Sequence, residues 1–235
     1  YPASDKAEDV EAARQVMFSV PESDNWTWNV PWWSDPVLLG HYPEEALRRF
    51  HKELPNITKE DLKLISEPID IYGQNIYNGW MVKMGDDGKP VTVSRYQGSP
   101  TTATGWPITP ECLYWGPKFL YERYQKPIYI TENGVGVRED VSVDMVNDDY
   151  RISFMNDHIN SIMNAVDKGV DVRGYYAWSS FDLYSWKNGV EKRYGLVAVD
   201  FDNKLVRKPK KSYYWYKGII ESNGEKIERK EWFKQ

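Results

Sequence analysis

The sequence predicts an α/β fold in which short parallel strands are covered by helices. Two observations carry this expectation. Ile128-Tyr129-Ile130 in PIYITENGVG is an apolar run without polar alternation, as in strands buried on both faces, and the VRGYYAWSSFD stretch starting at Val172 reads as another buried strand with a polar end. These runs alternate with amphipathic helical stretches over 110–124 and 147–168.

The remaining elements follow in chain order. Residues 7–18 place Ala12, Ala13, Val16 and Met17 on one helical face. Residues 22–42, rich in Trp and Pro (WTWNVPWWSDP), read as irregular. A helix is expected over 44–54, and Thr58 with Asp61 three residues on reads as the N-cap of another. IDIYGQNIY, 69–77, reads as a strand, and MGDDGKPVTV as a hairpin turning at Asp87-Gly88. Pro127 opens the PIYIT strand, and Gly134 and Gly136 close it into a loop. The 147–168 helix ends near Gly169, and a last helix spans 209–222. Lys208, Lys210 and Lys211 beside Pro209 read as its solvated start. Three strands are too few for a closed eight-stranded barrel, so the sheet is either open or part of a barrel.

Composition narrows the function classes. With 235 residues the chain can bury a sizeable core. A formal net charge of −5 argues against a nucleic-acid footprint. The single cysteine, Cys112, allows no internal disulfide framework and fits a reducing compartment. No apolar run approaches a membrane span and no signal peptide opens the chain. The 11 Trp and 17 Tyr either fill a core or stack on sugar rings, and only their positions decide between these. His41, His51 and His158 share no metal spacing and read as surface or helix-packing residues. Asp86 and Asp87 belong to the hairpin turn.

The chemistry concentrates at strand ends. Thr131, Glu132 and Asn133 sit at the C-terminal end of an apolar strand, where α/β barrels carry catalytic groups. The residues alone leave two readings of Glu132 open: a catalytic carboxylate, or a carboxylate that caps a helix or pairs with an arginine. Asn75 and Tyr77, two apart, share one side of the preceding strand.

YITENG, GYYAWSSFD and KRYGLVAVDFD together resemble glycoside hydrolase family 1, and the resemblance runs from YPASDKAEDVEAA to RKPKKSYYWYKGII, over essentially the whole chain. It implies a (β/α)8 TIM barrel about twice this length, of which residues 1–235 are the C-terminal half, starting just past strand five and carrying strands six to eight. The family's acid/base motif, Asn-Glu-Pro, is absent from this sequence. The N-terminal half is therefore an expected partner, as a separate segment or chain, because a half-barrel leaves sheet edges and an apolar interior open.

The resemblance implies that Glu132 is the nucleophile of a retaining β-glycosidase, forming a glycosyl-enzyme while a second carboxyl group protonates the leaving oxygen. It implies that Tyr77 orients and charges Glu132 with help from Asn75, and that Trp178 is the floor under the sugar, with a Trp178–Ser179 peptide that is often cis in relatives. Ordinary β-glucosidases of the family carry a Glu where this chain has Ser185. A Glu there would repel a phosphate on the sugar's O6, whereas Ser185, Lys192 and Tyr194 offer hydroxyls and an ammonium to it. Their spacing is similar to the 6-phospho-β-glycosidases, and Trp186 to the phospho-galactosidase pattern.

A phosphorylated carbohydrate substrate in a bacterial cytoplasm is accordingly expected, with no metal or organic cofactor implied, no nucleic acid and no membrane; a homo-oligomer is left open. Trp26, Trp28, Trp32 and Trp33 either border the aglycone side or cover outer helices, with Trp33 the candidate for sugar contact. Trp106 is equally ambiguous. The rival readings are a β-glucosidase or β-galactosidase for unphosphorylated sugars, and a non-catalytic sugar-binding fragment.

Overall fold

The structure, a computed structural model, describes residues 1–21 and 28–230. Trp26 lies outside the described residues. The chain divides into two compact units: the first holds Tyr1–Tyr72, Trp80–Ser94 and Glu122–Lys126, and the second the remainder.

In the first unit, α1 (Ala7–Met17) buries Ala12 and Ala13 as its periodicity predicts. Asp9 on the same helix accepts from Ser4 Oγ and from the Met84 amide, and these hydrogen bonds hold its carboxyl below the usual range. β2 (Val82–Met84) and β3 (Pro90–Thr92) form the expected antiparallel hairpin, with Gly88 at φ +74° in its turn. The region read as irregular contains a helix, α2 (Val30–Leu38). Its start signals are present in the sequence: Asn29 caps the Trp32 amide at 2.8 Å, and Pro31 sits in the first turn, where no amide partner is needed. Trp32 packs with Val20, Ala46 and Phe50. Asp35, 1 % exposed, accepts from both Arg123 Nε (3.1 Å) and Nη2 (2.6 Å) and from the Tyr124 hydroxyl (2.7 Å), so that helix is decided by buried polar partners distant in sequence. α3 covers only Glu44–Arg49 of the expected 44–54. α4 (Lys59–Ile65) starts on a full capping box between Thr58 and Asp61.

The second unit is organised around a three-stranded sheet in the order β1 (Tyr72–Asn75), β4 (Ile128–Asn133), β5 (Val172–Ala177), with β4 and β5 parallel. Ile128 and Ile130 are fully buried, each worth about 1.5–3 kcal/mol. Thr131 and Arg173 are exposed, so the strands read as buried on both faces are buried on one only. The reason is that no layer covers the second face among the described residues. On the packed side, α6 (Asp149–Asp167) contributes Phe154, Met155 and Ile159 to a core that also takes Ile219 of α7 (Lys211–Glu221). α5 (Cys112–Tyr124) matches its expected span. α6 ends at Gly169, whose φ of +89° is the left-handed cap that glycine adopts at no steric cost. A hairpin that the sequence reading missed joins β6 (Val197–Asp200) to β7 (Val206–Pro209). Its turn carries no Asn-Gly or Asp-Gly signal, using Lys204 and Leu205 at φ +51° and +59° instead.

The basic run at 208–211 requires correction. Lys210 is fully buried, its ammonium 2.5 Å from Glu139 and 3.0 Å from Asp182. Lys208 donates to the carbonyls of Val141 and Val143 at 3.0 and 3.1 Å. Only Lys211 behaves as a solvated helix-start residue, paired with Asp149 at the surface. A buried charge is tolerated only with partners, and those partners come from two other loops. No helix among the described residues is long and apolar enough to cross a membrane.

His158 is a fully buried helix-packing residue, stacked on Phe154 with ring centroids 3.8 Å apart. Its Nδ1 lies 2.7 Å from the Phe154 carbonyl, which can only accept, so Nδ1 carries the proton and Nε2 is left bare and buried. Burial pushes its pKa down to about 4. The unfolded chain then binds a proton that the native state refuses between pH 6.5 and 4, so stability is lost as pH falls through that window, by about 3 kcal/mol at most. Urea midpoints at pH 7 and pH 4.5 should differ more in the wild type than in His158→Phe; equal differences would show that His158 is not the titrating group.

Candidate active site

The PIYITENGVG stretch builds the site through its local geometry. The β4–β5 register slips between Ile130 and Asn133, where three steps along β4 oppose two along β5. Such a bulge re-aims the side chains it contains. Glu132 thereby reaches a cleft of about 640 Å³, where the Tyr77 hydroxyl donates to its Oε2 at 2.7 Å. Burial, followed by this bond to Glu132, holds the Tyr77 phenol well above its ordinary range, so it stays a donor. The Trp106 ring meets Tyr77 edge-on, with centroids 5.6 Å apart.

Asn133, fully buried, pins three strand ends together. Its Nδ2 donates to the Ile76 carbonyl at 2.9 Å, its Oδ1 accepts from the Tyr175 hydroxyl at 2.9 Å, and its carbonyl accepts from the Trp178 amide at 2.8 Å. The two glycines that follow make room for the next loop. A Cβ on Gly134 would collide with the Trp178 carbonyl, and one on Gly136 with the Tyr194 ring. The Trp178–Ser179 peptide is cis.

Among the sequence candidates, Tyr77, Glu132, Trp178, Ser185, Trp186 and Tyr194 all line this cleft. Trp186 is 97 % exposed and Trp178 36 %. Asn75 does not line it: its Oδ1 accepts from Thr131 Oγ1 at 2.7 Å, beside Glu132 and not on it. Lys192 does not line it either; its ammonium donates to Asn188 Oδ1 at 2.9 Å. Trp33 lies on α2 in the other unit, outside the cleft's lining. Among the described residues, Glu132 is the only carboxylate lining the cleft. Thr102, Thr104, Trp106, Lys187 and Asn188 also line it; of these the sequence singled out only Trp106, with its role left open. No motif or periodicity marks them, since they enter from loops.

The sequence profile of Glycosyl hydrolase family 1 matches residues 1–225. The chain is 39 % identical over 227 residues to Beta-glucosidase A of Thermotoga maritima, covering 95 % of this chain and 48 % of that protein. It is 34 % identical over 256 residues to the Aryl-phospho-beta-D-glucosidase BglC of Bacillus subtilis, covering 97 % and 52 % respectively. The solved family 1 β-glucosidase from Thermotoga maritima in complex with isofagomine lactam superposes with a TM-score of 0.75 at 38 % identity, over 95 % of this chain and 49 % of that one. The chain thus spans about half the length of the curated relatives it matches. By that match across nearly its whole length, the chain belongs to glycosyl hydrolase family 1.

Proposed function

We propose that residues 1–235 are the C-terminal half of one (β/α)8 barrel, contributing about strands six to eight, and that the assembled barrel hydrolyses β-glycosidic bonds with retention of configuration. The observation that carries this reading is the Tyr77 hydroxyl on Glu132 at the end of β4, in a cleft that Trp178 also lines. In this reaction Glu132 attacks the anomeric carbon as the bond to the leaving oxygen breaks, and that oxygen takes a proton from a carboxylic acid. Water then gives its proton to the same group and displaces Glu132 from the sugar. Tyr77 keeps Glu132 oriented, Trp178 is the sugar platform, and no cofactor enters. The acid must come from the N-terminal half, because Glu132 is the only cleft-lining carboxylate among the described residues. That half would also extend the sheet beyond β1 and β5 and cover its open face.

For the substrate we propose a 6-phospho-β-galactoside or 6-phospho-β-glucoside, met in the cytoplasm. Asn188 links Ser185, Tyr194 and Lys192 through hydrogen bonds, and Lys187 also lines the cleft. Relatives named 6-phospho-beta-glucosidase (33 % identical) and aryl-phospho-β-D-glucosidase are consistent with it. A plain β-glucosidase is the second reading, favoured by the 39 % identity to β-glucosidases that carry no phospho- in their names.

The test compares kcat/KM of the assembled barrel for aryl β-galactosides and β-glucosides, each with and without a 6-phosphate. A preference of about a hundredfold for the phosphorylated form, about 2.7 kcal/mol, is the expected result. A preference for the plain sugars would leave the hydrolase standing and replace the phosphate reading by the second one.

A further inference from the structure

We infer that Asn188 determines selectivity at this end of the cleft, by fixing the direction in which its neighbours donate hydrogen bonds. The inference rests on the phosphate reading above and deepens it. The turn over 185–189 is closed by reciprocal backbone bonds, Ser185 amide to Gly189 carbonyl and the reverse, both 2.8 Å, with Gly189 at φ +59°. This turn folds the Asn188 side chain back against Ser185, Lys192 and Tyr194. An ammonium can only donate, so the amide oxygen must face Lys192, at 2.9 Å. The amide nitrogen then faces the Tyr194 hydroxyl at 3.1 Å and, more weakly, Ser185 Oγ at 3.4 Å.

The direction of these bonds has a chemical consequence. Each hydroxyl accepts from Asn188 and keeps its own proton for another acceptor. The Lys192 ammonium uses one of its three protons on Asn188 and has no carboxylate within 4.0 Å among the described residues. Lys187, which also lines the cleft, likewise has no carboxylate partner within that distance among the described residues. Every proton that Asn188 leaves unused therefore suits an acceptor-only group, which an anionic phosphate is and a sugar hydroxyl is not. Asn188 is thus a positioning residue for Lys192 and Tyr194. An Asp in its place would accept from both hydroxyls and from Lys192, turning their protons inward and cancelling the ammonium's charge.

The experiment measures, on the assembled barrel, the ratio of kcat/KM for a 6-phosphorylated over the plain aryl β-glycoside, in the wild type, Asn188→Ser and Asn188→Asp. The ratio should fall at least tenfold in Asn188→Asp and by less in Asn188→Ser, because only Asp reverses the donor direction. Inorganic phosphate should inhibit hydrolysis of the plain glycoside competitively, and more weakly in Asn188→Asp. A wild type that prefers the phosphorylated sugar, with a ratio unchanged in Asn188→Asp, would overturn the role of Asn188 and leave the phosphate reading intact. A fall in activity equal for both sugars would overturn it too, as the mark of a merely structural residue. A wild type without phosphate preference and insensitive to inorganic phosphate would overturn the phosphate reading and this inference together.

Discussion

Replacing Glu132 by Gln in the assembled barrel should lower kcat/KM by about 10⁴-fold or more, about 5.4 kcal/mol of transition-state stabilisation. The substitution keeps shape and volume, and the Tyr77 hydroxyl, 2.7 Å away, can still donate to the amide oxygen. The fold and sugar binding should therefore survive while the nucleophilic lone pair is lost. A second variant assigns the role. Glu132→Ala leaves a gap on the side from which a nucleophile attacks, and added azide should fill it. If Glu132 is the nucleophile, the glycosyl azide formed has the anomeric configuration opposite to the substrate's. If Glu132 were the acid/base, the azide product would retain it. A Glu132→Gln enzyme that hydrolyses glycosides at the wild-type rate would show that Glu132 is not the catalytic carboxylate.

Two lysines one position apart should respond to the same substitution with losses of very different size. Lys210→Met is expected to destabilise the protein by about 3–5 kcal/mol, because it strands Glu139 and Asp182 without their shared cation. These carboxylates belong to a larger network. Arg151, 1 % exposed, bonds Glu139 at 2.9 Å and Asp148 at 3.0 Å, and donates to the carbonyls of Val135 at 2.7 Å and Tyr194 at 3.1 Å. Asp182 also accepts from the Gly195 amide at 2.8 Å. The network thus ties the loop after β4, which follows Glu132, to the segment that carries Lys192 and Tyr194. Lys211→Met breaks only a surface pair with Asp149, whose side chains are about half exposed, and should cost under about 1 kcal/mol. Urea unfolding midpoints of the two variants measure the contrast; equal shifts would show that burial of Lys210 does not govern its contribution.

Much of the local backbone was legible from short patterns. The Thr58-Asp61 capping box, the Asp87-Gly88 turn, the glycine stop of α6 and the helices over 7–17 and 112–124 each depend on residues within a few positions of one another. The strand PIYIT was legible as well, although its second face proved open. α2 was missed because Trp and Pro in its composition outweighed a real start signal at Asn29 and Pro31. The β6–β7 hairpin was missed because its positive-φ positions fall on Lys204 and Leu205 and not on a glycine, although Asp202 and Asn203 beside them are ordinary turn formers.

The candidate site divides along the same line. Glu132, Tyr77, Trp178, Ser185 and Tyr194 were nameable in advance because a family pattern and a strand end mark them, and they meet in one cleft. The parts played by Asn133, Trp106 and Lys210, all singled out in the sequence, and by Asn188, which was not, stayed illegible because they depend on partners and not on neighbours. Lys210 meets Glu139 across 71 residues and Asp182 across 28, and Asn133 meets Ile76 across 57. A lysine beside a proline reads as solvated until two distant carboxylates close on it. Chain-local preferences are written into adjacent residues, whereas the burial of a charge or the direction of an amide is decided only when remote segments pack together.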